Sequence, residues 1–181
     1  MVELDERTRT ALSYIRHQAS KSLSDVRALA QRTAAEYGPC LQDVSEAQAR
    51  FKPGHEWSIK EVLDHLIYAT TSQAIEPIRD LSDGKVPRPL TADSSGRRST
   101  QSVQELRDET ARLLEQVVVL VGALPDGALP PGLWQHPSLG PLNLKELIVY
   151  HRLHVMDHLQ QIEKIKADPG YPPRRPEGRR W

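Results

Sequence analysis

Apolar residues recur at alternating three- and four-residue spacing in four stretches of the chain, the signature of helices that bury one face. In the first, Leu23, Val26, Ala30, Thr33, Tyr37, Leu41 and Val44 form the seam, and Ser22 with Asp25 offers a capping box at its start. Gly38 and Pro39 lie near its end, where a proline removes a backbone hydrogen bond and predicts a kink or short break. Residues 4–18 add a shorter segment with Leu4, Ala11, Leu12 and Ile15 toward the body. The second helix opens at Ser58, with Glu61 three residues on, and carries Ile59, Val62, Leu63, Leu66, Ile67, Ala74, Ile75 and Ile78. The third has Val103, Leu106, Thr110, Leu113, Val117, Leu120 and Leu124 in a bundle-like seam. The fourth repeats the capping logic with Asn143 and Glu146 and runs to about Lys166.

Between these helices, residues 82–100 and 125–141 are rich in Gly, Pro and polar residues and read as long surface connections. No strand pair is expected. The pattern therefore predicts an all-α protein, a four-helix bundle with long loops between helices two and three and between three and four. Residues 1–20 form an N-terminal extension, 21–167 the bundle, and 168–181 a Pro- and Arg-rich segment with too little apolar content to pack.

Composition narrows the function classes. The chain of 181 residues balances 24 basic against 24 acidic side chains, so no overall field draws it to nucleic acid or an anionic membrane. The charged start and the short apolar runs predict a soluble, cytoplasmic protein. Cys40 is the single cysteine, which excludes an intrachain disulfide and a multi-cysteine zinc site, so any metal must be held by histidine. Leu114, Val118 and Val121 lie beside the third helix's main seam and suggest a second apolar face, available for a homodimer.

Three of the seven histidines, His151, His154 and His158, fall in the fourth helix. A rotation of about 100° per residue sets His154 about −60° and His158 about −20° from His151, so all share the seam face with Leu144, Leu147, Ile162 and Ile165. A single seam histidine is ordinarily a core residue bonded to a nearby polar group. Three in succession are costly, because each imidazole must be satisfied, and they point to function. Two histidines one turn apart can converge on one ion, and both the 151/154 and 154/158 pairs have that spacing. A third ligand must come from another helix, and His65, between Val62 and Ala69 on the inner face of the second helix, is the candidate. His17 lies in the N-terminal segment, while His55 and His136 lie in loops and can at most line a mouth. Trp57 and Trp134 read as hydrophobic closures of the bundle end, and Asp64 and Asp157 as surface carboxylates.

The stretches "VSEAQARFKPGHEWSIKEVLDHLIYAT" and "HPSLGPLNLKELIVYHRLHVMDHLQQI" resemble the DinB-like superfamily, also called YfiT-like metalloenzymes, over roughly residues 20–166. The carrying residues are Trp57, Ser58, Glu61, His65 and Leu66, then His154, His158, Gln161 and Ile162. The resemblance implies a four-helix bundle in which His65, His154 and His158 hold a divalent metal ion, zinc or nickel before iron or manganese. It leaves His151 and Gln161 as second-layer or pocket residues. It further implies a small-molecule substrate, with water or a low-molecular-weight thiol activated for hydrolysis or thiol-dependent transfer, and commonly a homodimer. No general acid or base is identified. The rival expectation is a non-catalytic, stress-related binding bundle with a structural or vestigial metal site.

Overall fold

The computed structural model describes residues 5–90 and 100–173. Helix α1 (Glu6–Ala19) is followed by α2 (Leu23–Leu41), the short α3 (Glu46–Ala49) and α4 (Ile59–Thr70). A π-helical segment (Thr71–Ile75) joins α4 to α5 (Glu76–Ser82). Helix α6 (Val103–Gly122), the strands β1 (Trp134–His136) and β2 (Gly140–Leu142), and α7 (Leu144–Lys166) complete the described elements. Helix α2 packs on α6 and α7, and α4 packs on the same two, so four helical columns enclose the core, while α1 lies against the outside of α7.

The capping boxes are formed as the sequence expects. Ser58 Oγ accepts from Glu61 N at 3.3 Å while Glu61 Oε2 accepts from Ser58 N at 2.8 Å. Asn143 Oδ1 and Glu146 make the same exchange at 3.0 and 2.9 Å. Each satisfies backbone N–H groups that a helix start otherwise leaves open. These two caps set where α4 and α7 begin, and hence at what level their histidines lie.

Several expectations need correction. Helix α2 continues without a break through Pro39 and ends at Leu41, leaving Val44 outside it; the proline falls in the last turn, where the one bond its missing N–H would have made is lost with only two helical residues still to follow. The second long helix is not continuous α-helix. Its π segment lies just before Pro77, whose ring would press on the carbonyl four residues back in a regular helix; the wider turn relieves that clash. A strand pair is present: Trp134, Gln135 and His136 pair antiparallel with Leu142, Pro141 and Gly140. Gly140 has φ 75°, which closes the tight turn of this hairpin.

Asp64 is not a surface carboxylate but is only 3% exposed, because α4 is packed on nearly all sides; Asp157 is exposed as expected. Leu114 and Val121 are buried by this chain's own core and so are not free for a second copy. The segment after α7 packs at its start: Tyr171 meets Phe51 edge-on at 5.7 Å, and Gln48 Nε2 donates to Pro172 O at 3.0 Å. The remainder of that segment, like part of the loop at 82–100, lies outside the described residues.

A small α3 that the pattern does not reveal ties three elements together. Glu46 accepts from Lys60 Nζ at 2.8 Å and from Val103 N at 2.7 Å, joining α3 to the starts of α4 and α6. Lys60 is 7% exposed, so this carboxylate is the counter-charge of a buried ammonium. Among the described residues no helix is long and apolar enough to cross a membrane.

Candidate metal centre

The helices α4 and α7 face each other, and their inward histidines meet. His65 Nε2 lies 3.2 Å from His154 Nε2. Ring centroids are 4.8 Å apart for His65 and His158 and 4.6 Å for His154 and His158. One ring nitrogen from each of the three lies within 4.8 Å of the others, and all three rings are half-buried. His151, also on α7, does not join them. It is 5% exposed and its Nε2 pairs with Thr70 Oγ1 at 3.3 Å, so it is a satisfied core histidine one turn below the cluster.

Donor chemistry decides whether an ion fits. Two ligands at tetrahedral angles and about 2.0–2.1 Å from zinc stand roughly 3.3 Å apart, close to the 3.2 Å between His65 and His154. Metal also requires neutral imidazole with the lone pair facing the ion. Burial, with the neighbouring His158 and His65, holds His154 well below the ordinary histidine range, so it is neutral at physiological pH. Burial also lowers His158, against an opposing hydrogen bond from Gln161. That bond joins His158 Nδ1 to Gln161 Oε1 at 2.9 Å. An amide oxygen only accepts, so His158 carries its proton on Nδ1 and its Nε2 lone pair is left for a metal. The three residues therefore fit a divalent cation.

The sequence profile of the DinB superfamily matches residues 29–162, which span α4 and most of α7 with all three histidines. The chain belongs to the DinB superfamily. No curated protein matches it. In this DinB-superfamily chain the region around the histidines is built by residues whose part the sequence did not reveal. Trp57, read as a plug of the bundle end, is 37% exposed and lies over the cluster: its ring is parallel to His158 at 6.2 Å and tilted against His65 at 5.2 Å. It sits there because the capping box at Ser58 turns the chain just before the helix, directing residue 57 across the α4–α7 groove. Trp134, by contrast, is 1% exposed and does close the core.

Beyond His154 lies a second wall. Tyr150 stands one turn before His154, with ring centroids 5.8 Å apart, and its hydroxyl donates to Gln73 Oε1 at 2.7 Å. Gln73 belongs to the π segment, so the extra residue of that wider turn changes which side chain of the second helix faces α7. His136, on β1, packs its ring on Tyr150 at 4.7 Å. Tyr150 was legible in principle, being four residues from His154 on one helix. Gln73 and His136 were not, because their positions depend on the π turn and the hairpin. His17 and His55 are exposed and do not belong to the group of three histidines whose ring nitrogens converge.

Proposed function

We propose that this chain is a metal-dependent enzyme in which His65, His154 and His158 hold one divalent ion, zinc or nickel before iron or manganese. The observation that carries the reading is the convergence of three ring nitrogens within 4.8 Å, one of them oriented by Gln161. Three neutral ligands leave a tetrahedral ion one position short, the arrangement of catalytic rather than structural sites. When bound, the ion supplies Lewis acidity toward water or a small thiol, which makes hydrolysis or thiol-dependent transfer the reaction class.

The chain's own residues do the rest. Gln161 holds the His158 proton on Nδ1, burial keeps His154 neutral, and Trp57 shields the outer edge of the cluster from water. A cleft of about 550 Å³ reaches His158 and Gln161 between Arg7, Pro53, Glu56 and Lys164, a size suited to a small-molecule substrate. The ring of four packed columns supports a four-helix bundle spanning residues 21–167, after the extension at 1–20. A cytoplasmic homodimer without nucleic-acid or membrane partners belongs to the same proposal. Its dimer face cannot be built on Leu114 and Val121, which the core already buries.

The test is to load metal-stripped protein with zinc or nickel and assay it against a panel of esters and amides and a panel of thiol-transfer reactions. Turnover that appears with metal and is lost in His154→Ala supports the reading. Equal rates with and without metal would remove it.

A further inference from the structure

His136 does two different things with its two ring nitrogens. Its Nδ1 accepts from Ser138 N at 3.1 Å and from Leu139 N at 3.0 Å, tying down the turn between β1 and β2. A nitrogen that accepts two N–H groups carries no proton, so the neutral ring must carry its proton on Nε2. Burial reinforces this by keeping the ring from taking a second proton until the pH is about 4. His136 is therefore a fixed N–H donor whose Nε2 meets no acceptor among the described residues and reaches solvent rather than being sealed in the core.

The turn alone does not require histidine. An asparagine at this position would serve the same backbone N–H groups through its side-chain oxygen. What the imidazole adds is the N–H on the far side of the ring, held between Tyr150 at 4.7 Å and Trp134 at 5.4 Å. Tyr150 in turn meets His154 at 5.8 Å, and His136 is close enough that its charge would depress His154. The same cluster holds a second donor without an acceptor: Trp134 Nε1 is buried and makes no hydrogen bond. For the buried Trp134 Nε1 this costs on the order of 1–3 kcal/mol, whereas the solvent-reaching His136 Nε2–H can exchange water for a ligand oxygen. This wall of the site thus carries one fixed, solvent-reaching N–H donor, the complement of an oxygen-bearing ligand.

We propose that His136 is a substrate-binding residue whose Nε2–H donates to a carboxylate or carbonyl oxygen of the ligand placed beside the metal. The proposal rests on the metal reading above and extends it to substrate class. It also gives the hairpin a role: the turn holds the imidazole in one tautomer and one orientation, so the donor costs little to organise when the ligand arrives.

The test uses cobalt-loaded full-length protein, with acetate as the probe and the visible cobalt spectrum as the readout. His136→Asn keeps the turn acceptor and removes the donor, while His136→Ala removes both. The expected result is cobalt content equal to wild type, a melting temperature for His136→Asn near wild type, and acetate affinity weakened about tenfold or more, as for loss of a hydrogen bond to a charged group. Unchanged acetate affinity in cobalt-loaded His136→Asn overturns the role of His136 and leaves the metal reading standing. A wild-type chain that takes up no cobalt overturns both. Should His136→Asn fail to fold, the zinc-loaded wild type decides by nitrogen-15 spectroscopy of its imidazoles. A protonated His136 Nε2 whose resonance moves on acetate addition supports the proposal, and one that stays fixed overturns it.

Discussion

Replacing Gln161 by leucine isolates the part played by one hydrogen bond in preparing the metal site. The side chain keeps nearly the same size, but His158 Nδ1–H loses its acceptor at 2.9 Å. Without metal the imidazole is neutral and half-exposed, so the bond contributes about 1 kcal/mol or less and water replaces much of it. With a dication on Nε2 the ring is polarised, and a bond to a charged partner contributes about 1.5–3 kcal/mol. The difference, roughly 1–2 kcal/mol, falls on metal affinity alone. It corresponds to a loss of about fivefold to thirtyfold, overlapping the range of about 10–100-fold for residues that orient metal ligands. Competition for zinc against a chromogenic chelator measures this, with the melting temperature of the stripped protein as control. Gln161→Glu should instead tighten binding, since a carboxylate accepts more strongly. Zinc affinity within about twofold of wild type in Gln161→Leu would refute the claim that this bond sets the His158 tautomer.

His151→Ala should retain metal but lower stability by about 2–4 kcal/mol, from a core cavity and a Thr70 hydroxyl left without its partner; chelator competition and denaturant unfolding read the two effects separately. In the metal-free protein, burial holds His151 at about 4 against the usual value of 6.5. The unfolded chain therefore takes the proton first as the pH falls. This contribution is intact above about 6.5 and lost progressively toward about 4, on the order of 3 kcal/mol in all. Unfolding free energies measured across that window should fall with acid, and less steeply in His151→Phe. Glu46→Ala should destabilise by about 2 kcal/mol, because it strands the buried Lys60 ammonium, and Glu46→Ala with Lys60→Met should recover most of the loss in the same unfolding assay.

The features most legible in the sequence were those a single helix encodes by itself. Seam spacing and capping residues identify α2, α4, α6 and α7, and because a cap sets where the helix begins, they also set the faces on which His65, His154 and His158 lie. What escaped the sequence depends on contacts between elements. Asp64 and Leu114 are buried because neighbouring helices cover the sides of α4 and α6 that periodicity marks as outer or secondary. The π turn was signalled only by Pro77, a residue tolerated equally well at a helix start. The β1–β2 hairpin is too short to show alternation, so His136 read as a loop residue. Trp57 lies over the histidines rather than in the core, a distinction that follows from the direction of chain entry into α4 and not from its neighbours in sequence. Gln161 was visible as a residue on the correct side of α7, but its partner nitrogen was not.

The central claim is that three histidines from two helices share one ion. The most direct test is elemental analysis of untagged protein, purified without added metal, for wild type and the alanine variants of His65, His151, His154 and His158 after dialysis. The account predicts about one divalent ion per chain in wild type and in His151→Ala, and little in the other three. A His154→Ala or His65→Ala protein that stays loaded, or a His151→Ala protein that comes out empty while His158→Ala does not, would contradict it.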